Sequence, residues 1–390
     1  MPGHDIVVVG ASAGGVEALS ELFSRLPRDV PASFFVVLHV PDRGTSMLPD
    51  ILSRRGALPA VHPRDGAPIE PGRVYVAPPG FHLLVKRGTV RLVRGPRENG
   101  ARPAVDPLFR TAAAAYGRRV VGVVLSGTLD DGTAGLQAVK ARGGTALVQD
   151  PHEAMYAGMP RSAAEHVEVD GVLPLAEIAA LLVRLANTRV EEDKGGDDVS
   201  DELKPEIDAV EMDPRKMHGD DHPGTPSGYT CPECHGSLWE IHEGELVRYR
   251  CRVGHAYSVE TLLSEQSTSM EAALWTALQA LEERASLSRG MAERMERRGH
   301  PRLAVRYRGE EAETRERAEL IRRVLLAGAA EGDAEQGAAR SAYGCPRRPL
   351  SSRRASRAWR RAGPGGGAPP RCAARRASGA RPRVTRRAPP

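Results

Sequence analysis

The stretch Asp5-Ile-Val-Val-Val-Gly-Ala-Ser-Ala-Gly-Gly15 decides the fold, because a continuous apolar run ends there in a glycine-rich turn. The helical pattern Val16-Glu-Ala-Leu19 follows at once. Such a run predicts a buried parallel strand that leads into the N-terminus of a helix. From residue 5 to about 187, apolar runs alternate with helical patterns. The sequence therefore predicts an α/β fold with a doubly wound, mostly parallel sheet.

The turn after this first strand is compatible with three kinds of site. A dinucleotide-binding turn requires glycine at the position of Ser12 and an acidic residue at the end of the next strand, where this chain has His39. The pattern Gly10-Ala-Ser-Ala-Gly14 instead matches G-x-S-x-G, the nucleophile elbow, which raises a serine hydroxyl out of the sheet at a helix N-terminus. The third interpretation is a serine that only caps the helix, which is the commoner case for an isolated turn.

A serine nucleophile needs a base to take its proton and a carboxylate to orient that base. His39 follows the second apolar run, residues 34–38, and Asp131 follows a third, residues 120–125. Because the carboxyl ends of parallel strands lie along one edge of a sheet, we expect Ser12, His39 and Asp131 to meet there. Taken singly, His39 would be a structural histidine and Asp131 a cap or turn residue. The coincidence of all three favours catalysis.

Five motifs follow one another in a specific order. They are GASAGGVEAL from Gly10, LHVP around His39, RPAVDPLF from Arg102, SGTLDDGTAG around Asp131 and GMPR from Gly158. Together they resemble the catalytic domain of the CheB family of chemotaxis methylesterases over residues 5 to 187. The resemblance implies hydrolysis of glutamyl methyl esters on chemoreceptors, often with deamidation of receptor glutamines. It assigns the nucleophile to Ser12, the base to His39 and the orienting acid to Asp131, with no cofactor for catalysis.

The chain departs from the usual pattern of that family. Thr128 and Leu129 stand where methionine and then glycine are usual, and Ala13 follows the nucleophile where threonine is common. Oxyanion stabilisation relies largely on backbone N–H groups, so these changes bear on rate and substrate range more than on mechanism. The family usually begins with a phosphorylatable receiver domain, whereas the catalytic strand begins here at residue 5. We therefore expect that phosphorylation of a fused receiver is not the switch.

Two other polar residues of this region receive lesser roles. His82 lies beside a predicted hairpin, residues 81–85 and 89–93, and is expected at the surface or in a turn. Asp106 opens an alanine-rich segment and is expected to cap a helix, with a substrate contact as the alternative.

An acidic segment separates this catalytic domain, residues 1–187, from the second half of the chain. Residues 191–222 hold 13 acidic and 4 basic residues with few large apolar ones. Such a composition does not bury enough apolar surface to fold and repels itself, which predicts an extended, flexible linker at 188–226.

A metal-binding pattern lies directly after the linker. Cys231 and Cys234 are separated by two residues, Cys251 comes after sixteen more, and His255 after another three. Two close ligand pairs predict a closed, structural zinc site in a small ribbon at 227–258. A thioredoxin-like redox site lacks a surrounding βαβ pattern, and disulfides are disfavoured in the cytoplasm. Loss of the metal is expected to leave the esterase chemistry intact.

Residues 259–330 are predicted to form a helical hairpin broken at Gly299-His300-Pro301. Its apolar stripe either packs on itself or the ribbon, or serves as a partner or dimer surface. Residues 331–390 are predicted to be a disordered tail. From Ala338 onward the tail has 15 Arg and no acidic residue, so the preceding 337 residues carry 40 basic and 50 acidic groups. Binding to nucleic acid would therefore depend on the tail alone. The composition of the tail favours out-of-frame translation, so Cys345 and Cys372 are assigned no role.

The sequence thus predicts a cytoplasmic protein-glutamate methylesterase that acts on a methyl-accepting chemoreceptor or a receptor-like protein. No apolar run is long enough to insert in a membrane, and no signal peptide is present. The alternative is a catalytically weak scaffold that recruits a signalling partner through its zinc module and helices. The linker suggests a form of control in which residues 223–327 return to the catalytic face and are released when a partner binds.

Overall fold

The computed structural model describes residues 3–190, 203–211, 224–244 and 246–342. Side chains are described as far as residue 327, except at 203 and 205. Met1–Ala327 form one compact unit, which contains both the predicted triad and the predicted metal ligands. Within the described ranges no helix combines the length and the apolar character needed to cross a bilayer.

Strands and helices alternate in the first half of the chain. The strands are β1 (Ile6–Ala11), β2 (Ser33–Leu38), β3 (Ala60–Val61), β4 (Val74–Val76), β5 (His82–Lys86), β6 (Thr89–Val93), β7 (Val120–Val124), β8 (Thr145–Gln149) and β9 (Gly171–Leu173). The helices are α1 (Gly15–Ser24), α2 (Leu48–Arg55), α3 (Val105–Tyr116), α4 (Thr133–Ala141), α5 (Gly158–His166) and α6 (Leu175–Ala186).

Seven of these strands form one parallel sheet in the order β3-β4-β2-β1-β7-β8-β9, while β5 and β6 pair as a separate antiparallel hairpin. Apolar side chains of β1 alternate between two cores, with Val7 and Val9 on one face and Ile6 and Val8 on the other. Because β1 pairs with β2 on one side and β7 on the other, the strand order reverses at its end. The predicted doubly wound sheet is confirmed, and Ser12 lies at its switch point.

In the second half of the chain, the described residues form one short helix, a small antiparallel sheet and two long helices. These elements are α7 (Leu203–Glu211), β10 (Thr225–Thr230), β11 (Ser237–Glu243), β12 (Leu246–Cys251), β13 (Ala256–Ser258), α8 (Val259–Arg297) and α9 (Pro301–Ala342). The four strands pair in chain order and form the predicted ribbon. Leu278 of α8 packs with Ala318 and Leu325 of α9, so the two helices form the predicted hairpin. The second helix ends at Ala342, beyond the predicted boundary at residue 330.

The prediction of an extended linker at 188–226 is wrong for Leu203–Glu211, which form α7. Ile207 and Val210 are buried, and so is the carboxylate of Glu206. An acidic composition predicts solvated carboxylates, whereas Glu206 is neutralised by buried arginines of the ribbon. The rest of the predicted linker, residues 191–202 and 212–223, lies outside the described residues, as does the predicted tail from residue 343.

Candidate active site

Ser12 stands in the turn between β1 and α1, and it is half-buried. Its backbone N–H donates to Ser126 O at 2.9 Å, and its carbonyl accepts from the N–H of Gly15 at 2.9 Å. Gly14 adopts a left-handed conformation with φ 71°, and a Cβ there would lie 2.7 Å from Ser126 Oγ. A glycine is therefore required for the turn that presents Ser12 at the start of the helix.

Ser126 lies just after β7, the strand that pairs with β1, and it binds the turn that carries Ser12. Its hydroxyl donates to Ala13 O at 2.8 Å and accepts from the N–H of Tyr156 at 3.0 Å. Its own N–H donates to Gln149 Oε1 at 2.9 Å. The backbone around Ser12 is thus fixed by buried hydrogen bonds, as a nucleophile on a rigid scaffold requires.

The register of the sheet brings Ser12 and His39 side by side. Ala11 of β1 pairs with Leu38 of β2, so the next residues of the two strands emerge together at the carboxyl edge. The backbone N–H of His39 donates to Ala11 O at 3.1 Å. In the described part of the chain, no hydrogen bond joins the Ser12 hydroxyl to the imidazole. Such bonds are often long before a substrate is bound.

The imidazole of His39 is bound to Asp131, with His39 Nε2 2.7 Å from Asp131 Oδ2. The same carboxylate accepts from the N–H of Val105 at 2.7 Å and from the N–H of Asp106 at 3.2 Å. Asp131 is only 2% exposed. Burial acts to raise the pKa of Asp131, but the hydrogen bond and charge of His39 and the N–H donors lower it to about 2. An ionised Asp131 favours a proton on His39 Nε2, so Nδ1 is the ring nitrogen that carries a lone pair.

Asp106 is a cap, although not of the helix in which it lies. Its Oδ1 accepts from the N–H of Gly132 at 3.0 Å and of Gly135 at 2.7 Å, so it satisfies the N-terminus of α4 from a position in α3. Burial, followed by the charge of Asp131, raises the pKa of Asp106 to about 7. The predicted cap is therefore found at a neighbouring helix, and Asp106 is buried at 2% exposure.

Asn99 is a site residue that the sequence reasoning missed. Its side-chain Nδ2 donates to Asp106 Oδ2 and to Asp131 Oδ1, each at 3.0 Å. Asn99 and Gly100 have φ values of 50° and 67°, and Glu98 and Ala101 exchange two backbone hydrogen bonds around them. This is the two-residue turn that an Asn-Gly dipeptide favours, so the signal was present in the sequence.

The prediction that His82 lies at the surface or in a turn is wrong, because this side chain is fully buried. His82 Nε2 lies 2.8 Å from Pro96 O, and Nδ1 accepts from the N–H of Ala104. Burial lowers the pKa of His82. The hairpin that carries it packs against α3, and His82 supports the loop that leads to Asn99.

The predicted metal ligands converge in the ribbon. His255 Nδ1 lies 3.7 Å from Cys231 Sγ and 3.5 Å from Cys251 Sγ, and Cys234 Sγ lies 3.5 Å from Cys251 Sγ. A tetrahedral zinc with Zn–S bonds of about 2.3 Å places its ligand atoms about 3.5–3.8 Å apart. His255 Nε2 is 3.3 Å from a carboxylate oxygen of Glu233, the usual outer partner of a metal-bound histidine. The four side chains therefore fit a structural zinc ion.

Five buried charged side chains join α7 and the ribbon to the sheet region. Glu98 contacts Arg110 of α3, and it lies 3.3 Å from Arg248 and 3.4 Å from Arg250, both in β12. Glu206 of α7 contacts the same two ribbon arginines, 2.9 Å from Arg248 Nη1. Charges buried at this depth are tolerated because each faces an opposite charge. The ribbon is thus docked on the region that holds the site.

The fold places the protein among α/β proteins whose site lies at the switch point of a parallel sheet, and here a serine, a histidine and a buried aspartate meet at that point. The family model described as CheB methylesterase matches residues 7–182. A putative protein-glutamate methylesterase/protein-glutamine glutaminase of Leptospira interrogans is 38% identical over 190 residues, which make up 48% of this chain and 98% of that relative. This chain belongs to the CheB methylesterase family.

Two further comparisons concern the same part of the chain. Protein-glutamate methylesterase/protein-glutamine glutaminase 2 of Anaeromyxobacter dehalogenans is 42% identical over 181 residues, covering 46% of this chain and 53% of that relative. The crystal structure of the Thermotoga maritima CheB methylesterase catalytic domain is 37% identical, covers 46% of this chain and 98% of that chain, and has a TM-score of 0.45. The chain spans about half the length of several curated relatives that it matches.

Proposed function

We propose that this protein is a protein-glutamate methylesterase in which Ser12 is the nucleophile, His39 the base and Asp131 the orienting acid. The observation that carries the proposal is the strand register, which sets Ser12 beside a His39 already bound to the buried carboxylate of Asp131. A methyl-accepting chemoreceptor or a receptor-like protein is the proposed substrate. The relatives' names, which include protein-glutamine glutaminase, support deamidation as a second reaction of the same site.

The reaction needs only proton transfers that these residues can make. Ser12 Oγ attacks the ester carbonyl carbon while His39 Nδ1 takes the hydroxyl proton. The N–H groups at the start of α1 stabilise the oxyanion of the tetrahedral intermediate. His39 then returns its proton to the leaving methoxide, and methanol departs from an acyl enzyme. A water molecule, deprotonated by His39, attacks this acyl group and releases glutamate and the Ser12 hydroxyl.

Methanol release from methylated receptor tests this function. Ser12→Ala and His39→Ala should each abolish turnover, because nucleophile and base act as one unit. Ser24→Ala is the matched control, since Ser24 is an exposed serine at the end of α1, the helix that follows Ser12. A fluorophosphonate probe provides a second readout, because it reports the nucleophilicity of Ser12 with no receptor present. Normal methanol release by the Ser12→Ala variant would refute the mechanism.

We also propose that Cys231, Cys234, Cys251 and His255 hold one structural zinc ion per chain. The ligand spacing and the Glu233 contact support it, and three free thiols are typical of a reducing compartment such as the cytoplasm. Zinc analysis of freshly isolated protein should give one ion per chain, falling to none in Cys251→Ser. A full-length protein without zinc and with three freely titrating thiols in the ribbon would contradict this assignment.

The second candidate function is partner recruitment through the helical hairpin. Large apolar side chains of α8 and α9 are exposed, including Leu287 at 71% and Val305 at 70%. Exposed apolar surface of this kind supports binding of a protein partner or self-association. Light scattering over a range of concentrations tests self-association directly, and Leu287→Glu should reduce it. A molar mass of one chain for both the wild type and Leu287→Glu would exclude self-association, and recruitment would then require a different partner protein.

A further inference from the structure

The ribbon edge strand β13 is hydrogen-bonded to the loop that carries Asn99. The N–H of Asn99 donates to Ala256 O at 2.8 Å, and the N–H of Ala256 donates to Arg97 O at 3.2 Å. The side chain of Asn99 takes part as well, because Asn99 Oδ1 accepts from the N–H of Ser258 at 3.0 Å. The loop and the strand are therefore joined by three hydrogen bonds around one residue.

These contacts fix which end of the Asn99 amide faces the two carboxylates. The Ser258 N–H requires an acceptor, so Oδ1 must point toward the ribbon and Nδ2 away from it. The two hydrogens of Nδ2 then lie between Asp106 and Asp131, one on each. A flipped amide would set an oxygen against two buried carboxylates and leave the Ser258 N–H unpaired. The N–H of Ser258 in the ribbon therefore favours the same orientation of the Asn99 amide as the two carboxylates do.

We propose that Asn99 is a positioning residue for Asp131, and that the N–H of Ser258 in the ribbon sets its orientation. The docked ribbon is then part of the apparatus that holds the triad in its working geometry. This inference rests on the proposed role of Asp131, and it goes beyond that role by bringing a segment outside the family match into the site.

A second contact ties the same ribbon edge to the neighbour of the orienting acid. Asp130 Oδ1 accepts from Ser258 Oγ at 2.7 Å and from Thr261 Oγ1 at 3.0 Å. Ser258 Oγ also accepts from the N–H of Thr261 and caps α8. The loop that carries Asp130 and Asp131 is therefore linked to Ser258 in two ways. Asp130 binds Ser258 directly, and Asp131 is connected to it through Asn99.

The first experiment removes the amide of Asn99 without straining the backbone. Because φ is 50° at this residue, glycine and aspartate are suitable replacements, since both tolerate the left-handed region. Asn99→Gly removes the donor, and we expect kcat to fall about 10- to 100-fold, the range for loss of a hydrogen bond to a charged group, with KM unchanged. In Asn99→Asp kcat should fall further, because this variant places a third carboxylate beside those of Asp106 and Asp131.

The second experiment separates the N–H of Ser258 from its hydroxyl. Ser258→Ala and Ser258→Pro both lose the hydroxyl, and only the proline variant also loses the N–H. Proline fits the backbone, because φ of Ser258 is −72°. We expect kcat of Ser258→Pro to lie about 2- to 10-fold below that of Ser258→Ala, the range for one neutral hydrogen bond. Equal kcat values for the two variants would overturn the role of the ribbon.

A spectroscopic readout separates positioning from mere stability. The proton between His39 Nε2 and Asp131 should give a downfield N–H resonance in the full-length protein, assigned by its absence in His39→Ala. It should shift or broaden in Asn99→Gly and Ser258→Pro, measured where far-UV circular dichroism shows both to be folded. An unchanged resonance together with a normal kcat in Asn99→Gly would overturn the proposal.

Removal of zinc from the full chain offers an independent test of the same link. If the ribbon orients Asn99, chelation should lower the labelling rate of Ser12 by the fluorophosphonate, and added Zn²⁺ should restore it. Hydrogen exchange of residues 246–258 shows whether the ribbon has opened. An opened ribbon with an unchanged labelling rate would overturn the proposal. The probe needs no receptor, so a protein that labels normally and releases no methanol would refute the methylesterase function and leave this inference standing.

Discussion

Replacing Glu206 with glutamine perturbs the charge cluster that holds α7 and the ribbon to the sheet region. Glu206 is 3% exposed and lies 2.9 Å from Arg248 Nη1 and 3.2 Å from Arg250 Nε. Three guanidinium groups, with Arg110 as the third, face Glu98, Glu206 and the partly exposed Glu243. Glutamine has nearly the same shape and leaves no cavity. The variant therefore removes one charge from a balanced set of six.

The expected cost is about 3–5 kcal/mol, the range for removing one partner from a buried ion pair and leaving the other charge uncompensated. Burial would raise the pKa of Glu206, but Arg250, Arg248 and Arg110 lower it well below the ordinary value of 4.5. Because the folded-state pKa is lowered, this stabilisation is present above the unfolded-state pKa and is lost as the pH falls below it. The difference between wild type and variant should therefore shrink toward acid pH.

Urea unfolding of the full chain, followed by circular dichroism at several pH values, measures the loss. Glu313→Gln is the matched control, since Glu313 pairs with Arg317 on α9 and both side chains are 63% exposed. An exposed pair of this spacing contributes about 0.3–0.5 kcal/mol. A loss below about 1 kcal/mol in Glu206→Gln, or a larger loss that does not depend on pH, would refute the argument that buried charge docks the ribbon.

Three further predictions concern the site and its loops. Asp131→Asn should lower kcat for methanol release about 10³- to 10⁴-fold with the fold intact, because the imidazole loses its orienting charge, and a loss under tenfold would contradict this role. Leu129→Gly should raise the free energy of unfolding, measured in urea, by about 0.5–1 kcal/mol, because glycine relieves the backbone strain of a leucine with φ 58°. A lower free energy of unfolding in the variant would show that the contacts of the leucine side chain outweigh this strain. Ser126→Ala should slow fluorophosphonate labelling, because Ala13 O and the N–H of Tyr156 lose their partner, and an unchanged rate would show that the turn holds without it.

The sequence predicts that His39 meets Asp131 beside Ser12, because this prediction requires only the positions at which the three strands end. Each residue follows an apolar run, and a parallel sheet collects such ends along one edge. The paired Cys and His spacing predicts the ribbon for a similar reason, since the constraint is local. Leu129 also fits a local rule, because the left-handed φ there explains why glycine is usual at this position.

The features that the sequence did not reveal depend on contacts between distant segments. Asn99 reaches Asp131 and Ser258 across 32 and 159 residues of chain, and no periodicity connects these positions. Glu206 lies in a segment whose composition resembles a solvated linker, yet its charge is matched by arginines that come later in the chain. The contact of the Asp130 carboxylate with Ser258 and Thr261 is of the same kind, since it joins positions 128 and 131 residues apart.

These contacts change how the second half of the chain can control the first. The linker suggested that residues 223–327 swing to and from the catalytic face, but release of the ribbon would separate Glu98 from Arg248 and Arg250 and uncover charges buried on both sides. A partner that releases the ribbon must therefore compete with this ion-pair cluster as well as with the hydrogen bonds that Asn99 and Asp130 make to Ser258. A chain cut near Asn187 would also lose the Ser258 N–H that orients Asn99, so its low activity would not by itself reveal a regulatory partner. Esterase activity is expected to survive loss of the metal only if the ribbon and the catalytic region are independent. Because Asn99 is hydrogen-bonded to the ribbon, loss of the metal should instead lower the activity.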